Sequence, residues 1–270
     1  MIQVLKYIIY GLISGLAEII PASSRGHQAI LMLLYGMNER DPMLDFMVHA
    51  GIIACIVFSY KTELSYLFIS GKNKQATTLI NKYDRRLIYS ALLPTVIGLF
   101  FFSIGTKYET SPVALSVFFL INGIILLVPD YIRQSDRQAA QLGGFDSILI
   151  GLSGFVSVFP GLSRVGSGCS LAILRGADKK SAFNWLLLLT VPALLALMVL
   201  DIIGLFTIGL PGITLWLLLG YVLAAAASFA GTYIAIILMK FLTHNTGTSV
   251  FSFYSFGAAL FTFIVYLMAF

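Results

Sequence analysis

The sequence predicts an all-α polytopic membrane protein: six transmembrane helices plus two re-entrant helix hairpins, arranged as an inverted-topology repeat. Three observations lead there. Apolar residues make up 59% of the 270-residue chain and charged residues only 11%, at a mean hydropathy of +0.93, whereas soluble domains carry about 25% charged residues. Two apolar stretches are interrupted by polar tips, and positive charge is spread unevenly over the loops. A helical bundle of this length is one unit, so residues 1–270 are expected to form a single membrane domain.

Windows of about 17 to 25 apolar residues mark the full spans, at about 44–60, 85–104, 112–129, 181–203, 212–240 and 250–269. The fifth is long enough to tilt or bend. Segments 4–36 and 146–176 are apolar too, but "IIPASSRGH" and "VFPGLSRVGSG" break them. Each half is only about 12 to 17 residues, too short to cross alone. Proline ends the first half-helix and glycine frees the turn, so each segment is expected to be a re-entrant hairpin. Non-helical backbone at that depth needs protein or a water-filled cavity around it. A signal peptide is not expected, although Lys6 precedes an apolar run and "PASS" resembles a cleavage region: the rest of the chain is apolar too and Glu18 interrupts the core.

Placing loop 61–86 in the cytoplasm puts Lys61, Lys72, Lys74, Lys82, Arg85, Arg86, Arg133, Arg137, Arg175, Lys179, Lys180 and Lys240 inside. Lys6, Arg40 and Lys107 lie outside, and Arg25 and Arg164 complete the 17 cations in the tips. This bias obeys the positive-inside rule. The first hairpin then opens outward, the second inward, and both termini lie outside. Topology accounts for the net charge of +5, which gives no reason to expect nucleic acid. Cys55 and Cys169 lie in apolar runs and are expected to pack rather than to form a disulfide.

The opposite orientation of the hairpins is matched by a repeat. "GLISGLAEIIPASSRG" and "GLSGFVSVFPGLSRVG" share a glycine six residues before the proline, Gly15 and Gly154. They also share Ser-Arg three and four residues after it, Ser24-Arg25 and Ser163-Arg164. The repeats run from about 1–130 and 146–270, a transporter-like plan whose site lies where the broken helices meet.

Ionisable groups at membrane depth mark function by default. Glu18 is expected to be the only deep carboxylate of the twelve, at a helix end whose dipole disfavours negative charge. His27 follows Ser23 and Ser24 by four and three residues and shares their helix face. The amides at the helix starts make an anion cradle. Arg25 and Arg164 bring forked donors suited to phosphate. Structural readings stand beside these. Glu18, Arg25 and His27 could simply lock the hairpin; Ser14, Ser153, Ser157 and Ser170 are expected to pack; His49 is expected to be a hydrogen-bonded packing histidine. Asp201 and the loop acids are expected to be solvated, and His244 carries no argument.

"GLAEIIPASSRGH" followed by "FPGLSRVGS" resembles the two signature motifs of the undecaprenyl-diphosphate phosphatase family, the bacitracin-resistance type. The resemblance continues through "LDFMVHAG", "LLPTVIGLFF", "AFNWLLLLTVPAL" and "FSFYSFG". It implies hydrolysis of undecaprenyl diphosphate to undecaprenyl phosphate and phosphate, on the outer face of a bacterial plasma membrane, in recycling of the cell-wall lipid carrier. It implies Glu18, Ser24 and His27 as catalytic residues and Ser163 with Arg164 as the phosphate-binding pair. Ser23, Arg25, Gly166 and Ser167 complete the expected diphosphate site. The candidate cofactor is Mg²⁺ or Ca²⁺; the candidate partners are the polyprenyl diphosphate or phosphate, membrane lipids and a second copy of the chain. The alternative is a non-hydrolytic polyprenyl-phosphate binding or transport protein on the same fold. The chain departs from the family pattern at Ser14, Arg25, Gly154, Val165, Gly168 and Ser255. With Ser14 in place of an acid, a metal would have one protein carboxylate.

Overall fold

The computed structural model describes residues 2–68, 82–132, 135–208, 212, 214–245 and 249–269. Among the predicted inside cations, Lys72, Lys74 and Arg133 fall outside the described residues. The helices are α1 Ile2–Ile19, α2 Ser24–Tyr35, α3 Pro42–Ser59, α4 Lys61–Phe68, α5 Lys82–Leu99, α6 Phe102–Thr106, α7 Pro112–Leu127, α8 Gly144–Val156, α9 Arg164–Leu174, α10 Lys179–Ile208, α11 Leu215–Asn245 and α12 Ser249–Ala269. No strand occurs among the described residues.

Local chemistry sets the boundaries. Asp41 caps α3 by accepting from the amides of Met43 and Leu44 at 3.0 and 3.1 Å, with Pro42 at the first helical position, where its missing N–H costs nothing. Ser111 and Pro112 start α7 the same way. Gly36 ends α2 in the left-handed conformation (φ 69°) and donates to Leu33 and Met32 carbonyls.

Six helices are long and apolar enough to cross a membrane: Ile2–Ile19, Pro42–Ser59, Pro112–Tyr131, Lys179–Thr207, Leu215–Thr243 and Ser249–Met268. Five match expected spans. The sixth expected span, 85–104, is divided between α5 and α6, and only Ile88–Gly98 is both helical and continuously apolar. The charged start of α5, Lys82 to Arg86, shortens the apolar part. Ile2–Ile19, expected as a half-helix, has the length of a full span.

Both expected breaks are present, at residues 20–23 and 157–163. Each pair of half-helices folds back on itself. Lys6 reaches the Tyr35 carbonyl at 3.5 Å across α1 and α2, and Arg175 reaches Asp146 at 2.6 Å across α8 and α9. The first arm of each pair packs against a long helix of the other half: α1 on α11, and α8 on α5. Small residues bring these backbones together. A Cβ on Gly11 or Gly15 would lie 2.2 Å from the Ala224 or Ser228 carbonyl oxygen, and one on Gly151 would lie 2.2 Å from that of Ala91. Helix α7 pairs with α12, and α3 runs between α10 and α11 with Val48, Ile52, Cys55 and Ile56 fully buried.

Candidate functional site

The two breaks meet. Ser23 caps α2, and its hydroxyl accepts from the Gly26 amide at 3.2 Å and from the Gly161 amide of the other tip at 3.0 Å. Holding both contacts places Ser23 at φ 69°, a conformation L side chains seldom adopt and one typical of constrained sites. Ser163 caps α9 by accepting from Gly166 at 3.0 Å. The tips touch through glycine. A Cβ on Gly26 would stand 2.8 Å from the Gly161 backbone, and one on Gly166 would stand 2.8 Å from Pro21. Residues of these types are needed because no larger side chain fits the crossing.

Asn122 of α7 fastens the crossing from one side. Its amide donates to the Pro21 carbonyl at 3.1 Å and to Ser255 Oγ at 3.0 Å, while its oxygen accepts from the Ser163 amide at 2.9 Å. The residue is fully buried. Sequence reasoning missed it, though a lone amide inside "FFLINGIILL" is the kind of polar group in an apolar span that needs a partner.

Arg164, at the first turn of α9, faces Glu18 at 3.5 Å. Its Nε and Nη1 are buried with no protein partner, and so is the hydroxyl of Ser167. Buried donors of this kind are rare unless a ligand or water completes them. Arg164, Ser167 and the capped start of α9 therefore form an incomplete anion site with Glu18 at its edge.

Arg25 is placed differently from the expectation that it mirrors Arg164. Counted from the capping serines, Arg164 is the first helical residue and Arg25 the second, so the structure pairs Ser24 with Arg164 and Gly26 with Gly166. The Arg25 guanidinium donates to the Val158 carbonyl, pairs with Glu109 at 2.5 Å and lies 4.1 Å from the Phe102 ring centre. Arg40 holds the other side of Glu109 at 2.6 and 2.9 Å, and also reaches Asp45 at 2.7 Å and Gln28 at 3.2 Å. Asp45 accepts from Tyr10 at 2.7 Å. Burial alone would push the Glu109 carboxyl up, but Arg40 and Arg25 outweigh it and hold it below the usual carboxylate range. Arg25 and Arg164 line one void with Thr95 and Ser157, of about 10 Å³. That space holds one water and not a phosphate.

The expected distribution of acids changes accordingly. Glu18 is not the only buried carboxylate: Asp45, Glu109, Asp146 and Asp201 are buried as well. Asp201, expected to be solvated, accepts from His49 Nδ1 at 2.8 Å across α3 and α10. His49 is thus hydrogen-bonded within the packing, and Ser14, Ser153 and Ser170 are buried.

Both ring nitrogens of His27 are hydrogen-bonded. Its Nδ1 lies 2.8 Å from the Ser23 carbonyl oxygen, which can only accept, so Nδ1 carries the proton and neutral Nε2 keeps a lone pair. Nε2 stands 2.5 Å from the Tyr254 hydroxyl, and the two rings stack at 5.6 Å. His27 and Tyr254 form one end of an apolar groove of about 470 Å³ whose walls include Ile13, Ile30, Leu34 and Phe261. Ser24 does not engage His27; its hydroxyl donates to the Ser14 carbonyl at 3.2 Å. No group of three His, Cys, Asp or Glu side chains converges on a metal position among the described residues. Glu18, a single carboxylate beside an arginine, does not make a protein-held site for Mg²⁺ or Ca²⁺.

A helical membrane protein with an unpaired arginine at the crossing of two broken helices, and an apolar groove lined by His27 of one of them, has the two kinds of surface, cationic and apolar, that an anionic lipid requires. The model of the bacitracin resistance protein BacA family matches residues 7–261, and the chain belongs to that family. It is 27% identical over 234 residues to an undecaprenyl-diphosphatase of Alkaliphilus metalliredigens, covering 83% of this chain and 85% of that one. It is 26% identical over 250 residues to one of Desulfatibacillum aliphaticivorans (87% and 91%), and 28% over 256 residues to undecaprenyl-diphosphatase 3 of Bacillus cereus (95% of each).

Proposed function

We propose that this chain is a lipid diphosphatase that hydrolyses undecaprenyl diphosphate to undecaprenyl phosphate and inorganic phosphate. Two observations carry the mechanism, one on each helix that starts at the crossing: on α9, Arg164 keeps two buried donor nitrogens that no protein group accepts, and on α2, His27 turns Nε2 toward the Tyr254 hydroxyl on the wall of an apolar groove. The tips part to admit the diphosphate, since the void at Arg164 now has room only for a water, and it then binds Arg164, Ser167 and the amides at the start of α9, with Ser163 and Gly166 shaping that turn and Ser23 shaping the other. These donors stabilise the charge that develops as the phosphorus–oxygen bond breaks. The prenyl tail lies along the groove, where burial of apolar surface supplies affinity. His27 Nε2 is the reactive atom: it either attacks the terminal phosphorus, giving a phosphohistidine that water then hydrolyses to phosphate, or takes a proton from a water that attacks that phosphorus, and in both routes undecaprenyl phosphate leaves with the electron pair of the broken phosphorus–oxygen bond. Ser24 ranks behind it because its hydroxyl is spent on a carbonyl. Glu18 holds the Arg164 fork toward the substrate. Arg25 supports the tips rather than the substrate. Mg²⁺ or Ca²⁺ as cofactor is a proposal in which the diphosphate would bring most of the ligands, and no step here passes through it.

The membrane arrangement is part of the same proposal. Pairs 4–36 and 146–176 are re-entrant in a bacterial plasma membrane, both termini lie outside, and the site is reached from the outer face. The exchange of partners between halves, α1 with α11 and α8 with α5, supports inverted repeats at about 1–130 and 146–270. A homodimer rests on the family resemblance alone. The non-hydrolytic carrier is not favoured, since the relatives are named as diphosphatases and a carrier has no use for a histidine lone pair facing the groove.

Phosphate release from undecaprenyl diphosphate in detergent tests the reading. His27→Ala and Glu18→Gln are expected to abolish it. Full activity in both would sink the assignment.

A further inference from the structure

Tyr254 occupies the one atom that the reaction needs. Because His27 Nδ1 is committed to the Ser23 carbonyl, Nε2 is the acceptor and the phenol of Tyr254 donates to it at 2.5 Å. The rings are nearly parallel, 12° apart, so the phenol is held by stacking as well as by the hydrogen bond. Yet Tyr254 is 50% exposed and lies on the groove wall, free to turn toward the lipid. An imidazole whose lone pair is filled can neither attack phosphorus nor take a proton.

We infer that Tyr254 is a gating and hydrogen-bond-donating residue: it caps His27 Nε2 at rest, is displaced when the lipid headgroup enters along the groove, and then donates to a phosphoryl oxygen of that headgroup. This rests on the phosphatase reading of His27. The geometry requires only a small rotation, because a phosphoryl group placed against Nε2 is already within reach of a hydroxyl that had been touching the same atom. The donor is therefore present when charge develops on the phosphoryl oxygens, and the cap shields the nucleophile in the empty enzyme.

The test is Tyr254→Phe in the full chain in detergent, which keeps the ring and the groove wall and removes only the hydroxyl. Two quantities are measured. The first is kcat and KM for phosphate release: kcat is expected to fall about ten- to a hundredfold, the loss of one hydrogen bond to a charged oxygen, with KM unchanged or lower because no cap has to be displaced. The second is the rate at which diethyl pyrocarbonate modifies His27 in the substrate-free protein, read by peptide mass spectrometry, which is expected to rise severalfold as Nε2 is uncovered. Buried His49, paired with Asp201, serves as the internal control for folding. Unchanged modification of His27, or unchanged kcat, overturns the inference. That failure is separable from failure of the phosphatase reading, which His27→Ala decides alone.

Discussion

Arg25 and Arg164 stand just inside the two tips in nearly the same sequence setting, and they are put to different uses. Arg164 meets a single carboxylate at 3.5 Å and keeps two donor nitrogens buried and unspent. Arg25 leaves only its Nε unpaired: both terminal nitrogens are taken, by Glu109 and the Val158 carbonyl, and the guanidinium lies against the Phe102 ring. The cause is a one-residue difference in the turn: two residues separate Pro160 from Ser163, but one separates Pro21 from Ser23. One residue on a helix is a rotation of about 100°, enough to turn Arg25 from the crossing to the loop that carries Glu109. The same shortening accounts for the left-handed Ser23. One arginine is available to a ligand; the other joins the two tips to the loops around them.

The comparison is broken most forcefully at Glu109. Glu109→Ala leaves Arg25 and Arg40 buried without their shared carboxylate, and removing one partner of a buried pair costs about 3–5 kcal/mol. The expected result is a large drop in the unfolding midpoint in detergent, with phosphate release per folded molecule near the parent value at low temperature. If stability were unchanged, Arg25 would not be the structural arginine described here. Arg164→Ala should show the opposite signature. Phosphate release is expected to fall about 10²- to 10³-fold, the usual cost of removing one transition-state donor, while the unfolding midpoint falls less than in Glu109→Ala, because one 3.5 Å contact is lost rather than the carboxylate shared by two arginines. Arg164→Lys keeps the charge but not the fork and should recover little. Full turnover in Arg164→Ala would place the phosphate site elsewhere.

Much of this was legible in the sequence, because the membrane leaves few choices. Length and apolarity fixed the helical class, and proline and glycine marked both breaks at 20–23 and 157–163. Glu18, Ser23, His27, Ser163 and Arg164 were singled out from residue type and spacing, and the structure places them at or beside the two breaks. The register of Arg25 was not, because counting from proline ignores where the cap forms, and the cap is decided by contact with the other tip through Gly161. Asn122 and Tyr254 were missed because each lies in an apolar helix and its partners are far away in the chain, 41 to 133 residues for Asn122 and 227 for Tyr254. The burial of Glu109 and Asp201 was missed for the same reason. A carboxylate in a loop or near a helix end looks solvated until Arg40 and Arg25, or His49, are brought to it.

The smallest effect concerns pH and sharpens the same contrast. Glu109 lies in the loop between α6 and α7, and its folded-state pKa is depressed by Arg40 and Arg25 in spite of burial. A carboxyl with a depressed pKa stabilises the fold above its unfolded value of about 4.3, and that contribution disappears as pH falls through the lower folded value. Unfolding midpoints measured from neutral pH down to about pH 3 should therefore drop more steeply at the acid end for the parent than for Glu109→Gln. The variant starts lower at neutral pH and has one fewer group to protonate. Arg40, whose pKa burial would lower, is raised by Glu109 and Asp45 and stays charged throughout, so the slope belongs to the carboxylate side of the network. Parallel curves for the two proteins would mean that Glu109 titrates alike folded and unfolded, and that the arginines at the first tip are held by something other than its charge.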